Sequence, residues 1–354
     1  MKIIHCADIH LNSPLRMALD NAEARRNEIF STFVSLLEYA KDNGAKVVLI
    51  AGDLFDEQLK ASENVVSEVA FKISQYPDID FIYLAGNHEK NNPFLERKNC
   101  PDNLKLFSAD KWQSFEYGDV VITGRELSNV PTFYQELNLD SGRVNIVCLH
   151  GDVNNQNEIN LKMLQHRGID YLALGHIHSF EYETLDERGS YCYAGCLEGR
   201  GFDELGEKGF VELDIENKKV SARFVPFAKR KIFEVIEVDI SGLEDYSDIA
   251  KKIVTTLEKL GVTQNDLIKE VKLIGEVSEM TDIDSMCKSL STKLGYYYLT
   301  VSNDTKYKID YSQYLQEASL RGRFVKIVEE SNLSAEEKAN IIGLGLRFIA
   351  GEGK

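Results

Sequence analysis

Five short blocks rich in Asp, His and Asn constrain this chain more than any other feature. They are Asp8-Ile9-His10, Gly52-Asp53-Leu54-Phe55-Asp56, Gly86-Asn87-His88-Glu89, His150-Gly151-Asp152 and Gly175-His176-Ile177-His178. Each directly follows an apolar run with strand character: Lys2–Ala7, Lys46–Ala51, Phe81–Ala85, Val144–Leu149 and Tyr171–Leu174. Helical spacing fills the gaps between the first three runs. In Ala22–Asn43 the residues Ile29, Phe30, Phe33, Val34, Leu37 and Ala40 recur on one face, and Gly44 stops the helix. Ser62–Tyr76 repeats the pattern with Val65, Val66, Val69, Ala70 and Ile73. Strand alternating with helix predicts a largely parallel sheet. In such sheets functional residues gather beyond the carboxyl ends of the strands, where all five blocks fall.

From about Asp119 the pattern turns strand-rich, with short segments at Asp119–Arg125, Ser190–Ala194, Gly209–Ile215 and Lys219–Phe227. A second sheet packed on the first, with helices outside, is the expectation. Lys229-Arg230-Lys231 reads as a boundary. Beyond it the signals run strand (Ile232–Asp239), helix (Asp245–Leu260), strand (Lys269–Val277), helix (Asp282–Leu294) and strand (Tyr296–Ser302), with no histidine. Two more helices are predicted, Ser312–Ser331 and Ala335–Ala350, the second opened by a Ser334-x-x-Glu337 capping box. The domains are therefore placed at 1–228, 229–305 and 306–354.

The blocks name a chemistry. Five of the seven histidines lie in them, beside aspartates and an asparagine, the ligands that suit borderline-hard divalent cations. Residues two apart in a strand point the same way, so Asp8 and His10 can grip one cation. Asp8, His10, Asp53 and His178 are assigned to one ion, and Asp53, Asn87, His150 and His176 to a second. Against two divalent ions, Asp8 and Asp53 leave a net charge of about +2, which attracts a phosphodiester and acidifies a bridging water. That water is the expected nucleophile, and His88, outside the metal set, the expected proton donor to the leaving group. Other residues take plainer readings: His5 a packed strand residue, Cys148 core, His166 a surface residue. Asp56 reads equally as orienting the site or starting a helix. Arg200 is a candidate substrate-phosphate contact, against the plainer reading of a solvated loop arginine.

The net charge of −16 argues against a nucleic-acid substrate, but it is uneven. Residues 1–228 hold 23 Lys+Arg against 36 Asp+Glu, and residues 229–354 hold 18 against 21. The acidic excess lies where cations are expected, so metals would do the attracting. None of the six cysteines forms a CxxC pair, no apolar run approaches a membrane span, and the start of the chain does not read as a signal peptide. The expectation is a cytoplasmic protein with no membrane partner.

The ordered set DxH, GDxxD, GNH(E), H and GHxH resembles the signature of the calcineurin-like metallophosphoesterase superfamily over residues 1 to about 228. Within it, His5 through Pro14, Gly52 through Asp56, and Tyr193 through Arg200 leading into Gly206-Glu207-Lys208-Gly209 resemble the SbcD-type DNA double-strand-break repair nucleases, in particular the bacterial YhaO-like exonuclease branch. The resemblance implies an α/β fold, a four-layer αββα sandwich followed by a small α+β capping domain and C-terminal helices. It also implies manganese, DNA as substrate, a homodimer, and an SbcC-like coiled-coil ATPase docked on the C-terminal helices. Dimerisation would use helices around Ser62–Tyr76 and Phe94–Phe107. The competing expectations are a phosphomonoesterase or cyclic-nucleotide phosphodiesterase using the same two ions, and a non-enzymatic scaffold with a relic site.

Overall fold

The computed structural model describes residues 1–15, 22–56, 63–87, 93–95, 100–127, 130–227, 232–262, 268–278, 282–294, 298–308 and 312–350. The chain divides into two compact units, Met1–Phe233 and Glu234–Lys354.

Two six-stranded sheets form the first unit. The chain lays down β1 (Lys2–Cys6), α1 (Ala22–Asp42), β2 (Val47–Ala51), α2 (Glu63–Ser74), β3 (Asp80–Leu84) and β4 (Leu104–Leu106). The second sheet takes β5 (Gln113–Tyr117), β6 (Val120–Gly124), β7 (Val144–His150), β8 (Tyr171–Gly175), β9 (Glu181–Thr184) and β10 (Ser190–Tyr193), with the one-turn α3 (Leu161–Leu164) before β8. β11 (Gly209–Glu216) and β12 (Lys219–Pro226) then return to the first sheet, which runs β12-β11-β1-β2-β3-β4. The second runs β5-β6-β7-β8-β10-β9. The strands that lead into the blocks pair in parallel: β1 with β2, β2 with β3, and β7 with β8.

Fully buried strands explain why these runs are continuously apolar rather than alternating. One face of β1 and β2 (Ile3, Val47, Leu49, Ala51) meets Ile146, Cys148, Tyr171 and Ala173 between the sheets. The other face (Ile4, Val48, Ile50) packs on Phe33, Leu36 and Leu37 of α1 and Val69 and Ile73 of α2. Phe133, Leu137, Ile159 and Leu164 cover the outer face of the second sheet, so the αββα sandwich holds with a thin fourth layer of turns and one short helix. The segment expected to be helical around Phe94–Phe107 instead contains β4, because Leu104 and Leu106 extend the sheet beside Phe81 and Tyr83.

The second unit has β13 (Phe233–Asp239, all but its first residue), α4 (Tyr246–Lys259), β14 (Ile268–Ile274), β15 (Glu276–Ser278), α5 (Ile283–Lys293), β16 (Tyr298–Asn303) and β17 (Lys306–Lys308). The strand expected over Lys269–Val277 is broken at Gly275, whose φ of 105° turns the chain into a separate β15–β17 pair. The helix expected over Ser312–Ser331 is also two: α6 (Ser312–Leu315) and α7 (Leu320–Glu329). Ser319 caps the second through the Gly322 amide, and Gly322 packs so closely on the Tyr314 and Glu317 carbonyls that a Cβ there would lie 2.6 and 2.2 Å from them. α8 (Ala335–Ala350) makes both bonds of its capping box, Ser334 N to Glu337 Oε2 at 2.9 Å and Glu337 N to Ser334 Oγ at 3.3 Å. Val325, Val328, Ile342 and Leu346 join α7 to α8. Ile327, Leu344 and Phe348 remain 70%, 69% and 73% exposed.

His5 occupies the middle of the sheet–sheet core, its Nδ1 2.9 Å from the Tyr171 hydroxyl. Burial pushes its imidazole down to about 3 from the ordinary 6.5. Between those values the unfolded chain binds a proton that the folded chain refuses, so this contribution is intact above about pH 6.5 and is lost as the pH falls towards 3. His5→Gln keeps an amide partner for Tyr171 but cannot take up a proton. Its unfolding free energy, measured by urea denaturation, should fall less steeply between about pH 6 and pH 4, by about 1.4 kcal/mol per pH unit. Equal slopes for the two proteins would remove His5 as a source of acid sensitivity.

Candidate metal centre

The five blocks leave the carboxyl ends of β1, β2, β3, β7 and β8 and converge. β1 ends at Cys6, so strand alternation does not join Asp8 to His10 as the sequence suggests. Both residues instead take left-handed backbone, φ 50° and 47°, as do Asp53 at 49° and His176 at 103°. Such conformations are costly outside glycine and persist only where surrounding contacts over-determine them. For Asp8, His10 and Asp53 the contacts are backbone bonds between the first two blocks: Asp8 N to Gly52 O at 3.1 Å, His10 N to Asp53 O at 2.9 Å, and Leu11 N to Leu54 O at 2.8 Å. His176 is held by its amide bonds to the Asp8 carboxylate.

Two glycines let the ligand-type side chains approach. Gly52 has φ 93°, and a Cβ on it would lie 2.1 Å from His150 Nδ1. A Cβ on Gly86 would lie 2.1 Å from Asp53 Oδ1. The glycine before Asp53 and the one before Asn87 are therefore space for a neighbouring block's side chain.

Asp8 and Asp53 are buried at 0% and 1% exposure, with imidazoles on both sides. Asp53 Oδ2 lies 3.7 Å from His10 Nε2 and 3.3 Å from His150 Nε2, between the two rings. Asp8 Oδ1 lies 4.0 Å from His178 Nε2, and both Asp8 oxygens accept from the His176 amide at 3.0 and 3.1 Å. The Asn87 amide oxygen touches His150 Nε2 at 2.8 Å and His176 Nδ1 at 3.0 Å. His10 Nε2 and His178 Nε2 face each other at 3.4 Å. Two groups of ligand atoms draw within 4.8 Å of one another: Asp8, His10 and His178, and Asp8, Asp53 and His150. Thus Asp8, His10, Asp53, Asn87, His150, His176 and His178 all meet, while His88 lies outside the described residues.

The electrostatics fit cations. Burial raises the Asp8 carboxyl to about 6, with the nearby imidazoles opposing and Asp53 adding to the shift. Burial works to lower His150, but the Asp53 carboxylate outweighs it and carries the imidazole to about 9. Burial and the neighbouring His150 both lower His176. Two carboxylates away from water, ringed by imidazole nitrogens and one amide oxygen, form a donor set that divalent cations would satisfy.

Residues 1–180 match the profile of the calcineurin-like phosphoesterase family, half of the chain. The chain belongs to that family. Among curated relatives, it is 26% identical over 287 residues to the uncharacterized metallophosphoesterase YhaO of Bacillus subtilis, covering 73% of this chain and 68% of the relative. It is 25% identical to the DNA double-strand break repair protein Mre11 of Methanopyrus kandleri, over 70% of this chain and 56% of that protein. It is 24% identical to the SbcD component of the SbcCD nuclease of Staphylococcus saprophyticus, over 67% of this chain and 72% of that one. The family is one of phosphoesterases, and the geometry gathers candidate metal ligands where the strands of both sheets end.

Further charged residues stand around that site. Glu204, 4% exposed, places Oε1 2.7 Å from His178 Nδ1. Arg200 turns inward, donating to Glu204 and, at 3.3 Å, to Asp56 Oδ2. Asp56 accepts from Ser13 Oγ at 3.1 Å and lies 3.8 Å from His10 Nδ1. Glu158 lies 3.9 Å from His176 Nε2. Sequence patterns marked neither glutamate. The only signal for Glu204 was an acid four residues after an arginine in a glycine-rich loop. That spacing has a structural meaning in a helix, and this segment is not one.

Proposed function

We propose that the chain is a metal-dependent DNA nuclease subunit that hydrolyses phosphodiester bonds in double-strand-break repair, together with a coiled-coil ATPase. The observation that carries the reading is Asp53 between His10 and His150, with Asn87 against both His150 and His176. This is the arrangement expected of one carboxylate shared by two ion positions. Asp8, His10, Asp53 and His178 would hold one ion, and Asp53, Asn87, His150 and His176 the other. Bound divalent ions, manganese in this proposal, would supply Lewis-acid stabilisation of the phosphoryl group and an activated water. The chain's own contribution is to hold the seven side chains on rigid strand ends, so that little reorganisation accompanies reaction. His88, next to Asn87, would give its imidazole proton to the leaving oxygen.

The choice of DNA over a small phosphate ester draws support from relatives named for double-strand break repair and for a nuclease. The second unit, which a small-substrate enzyme would not need, supports it too. Residues 229–305 are assigned to capping and DNA contact, and residues 306–354 to the ATPase. The exposed Ile327, Leu344 and Phe348, with Leu320 and Ile341 also exposed on the same two helices, suit an apolar coiled-coil surface. A homodimer would use the α2 face, where Phe71 is 59% exposed, with Leu95 at 66%. A cytoplasmic location is proposed on the six cysteines, none of them joined in a disulfide. No helix among the described residues is long and apolar enough to cross a membrane.

With manganese, the protein should degrade end-labelled linear DNA, and His88→Ala should keep its bound metal while losing about 10²–10⁴-fold in turnover. Strong hydrolysis of a nitrophenyl phosphate with none of DNA would transfer the site to small esters. Loss of metal in His88→Ala would show that this residue is a ligand instead. The double variant Ile327→Asp/Phe348→Asp should lose co-purification with a coiled-coil ATPase expressed alongside it, while keeping activity on short DNA. Undiminished co-purification would exclude this face.

A further inference from the structure

We propose that Glu204, held by Arg200, is a positioning residue that fixes the tautomer and orientation of His178, so that Nε2 faces the ion position shared with Asp8 and His10. The proposal rests on the two-ion reading above and adds to it a pair of residues outside the proposed ligand set.

An imidazole can present only one nitrogen lone pair at a time when neutral, and the group bonded to the other nitrogen decides which. For His150 that group is a backbone carbonyl, Ala51 O at 2.9 Å from Nδ1, which leaves Nε2 for Asn87 and Asp53. For His178 the same part falls to a side chain. Its Nδ1 faces the Glu204 carboxylate at 2.7 Å, and its Nε2 faces His10 and Asp8. Arg200 Nη2 also lies 3.3 Å from Nδ1, and donation from it would force the opposite tautomer. The shorter contact and the acceptor-only character of a carboxylate favour the Nδ1–H form.

Glu204 is itself over-determined. It accepts from Arg200 Nη2 at 2.5 Å, from Arg200 Nε at 3.1 Å and from the Arg200 amide at 2.6 Å. Arg200 Nη1 reaches across to Asp56, the carboxylate facing His10. One guanidinium thus ties together the acids behind both imidazoles of one ion position. The loop is pinned from its other end as well. Buried Arg25 of α1 donates to Glu198 Oε1 at 2.5 Å and to Gly199 O at 2.7 Å, immediately before Arg200.

The test is a manganese titration by calorimetry of the full chain, wild type against Glu204→Ala, with thermal unfolding of the metal-free proteins checked alongside. Two ions should bind the wild type. In Glu204→Ala one should keep its affinity and the other should weaken by about 10–100-fold. A second readout needs neither metal nor a stable Glu204 variant. Long-range ¹H–¹⁵N spectra of metal-free wild type should report neutral His178 protonated on Nδ1. Wild-type affinity at both positions in a folded Glu204→Ala, or an Nε2–H His178 in the wild type, would overturn the assignment. Wild-type protein that takes up no manganese would instead overturn the two-ion reading, with the tautomer still deciding what Glu204 does to His178.

Discussion

Two carboxylates buried at the ends of parallel strands set the terms for the rest of this molecule. Asp8 and Asp53 are cut off from water, and each carries a desolvation penalty of several kcal/mol that nearby positive charge must offset. Imidazoles do part of this, as the raised His150 shows. A protein built only for stability would place apolar residues at these positions. The arrangement makes sense as a cradle for cations, and family membership supplies the chemistry such a cradle serves.

Holding that cradle requires strain, and the sheets absorb it. Four residues at the centre adopt left-handed backbone without being glycine. Asp8, His10 and Asp53 are held because the first two blocks bond to each other through their main chains, His176 because its amide donates to the Asp8 carboxylate, and all because each block grows from a strand buried on both faces. Gly52 and Gly86 then leave out the side chains that would block neighbouring ligands. Local strain, close approach and buried charge therefore meet in one place, while ordinary core packing surrounds it. Across the site edge, Arg200 and Arg25 extend this order outward by tying the 198–204 loop to Asp56 and to α1.

Much of this was legible in the sequence because it lies in local patterns. Apolar runs marked β1, β2, β3, β7 and β8 within a residue or two, and the Asp, His and Asn blocks marked the site. Strand alternation, which the spacing of Asp8 and His10 suggests, is not what brings them together. They meet through left-handed turns beyond the strand, which residue spacing does not reveal. Glu204 and the inward turn of Arg200 were invisible for a related cause, since a loop's long-range partners leave no periodic trace. The break between α6 and α7 hid behind apolar residues at helical spacing, and only the Ser319 cap and the close packing of Gly322 distinguish two helices from one. β4 left no mark because three residues joining a sheet edge are too short to show alternation.

The central claim is that two ions share this site across Asp53. Anomalous scattering from a manganese-soaked crystal tests it most directly. The account predicts two peaks per chain, about 3.5–4 Å apart, one within reach of Asp8, His10, Asp53 and His178, the other of Asp53, Asn87, His150 and His176. A single peak, or peaks away from Asp53, would contradict it.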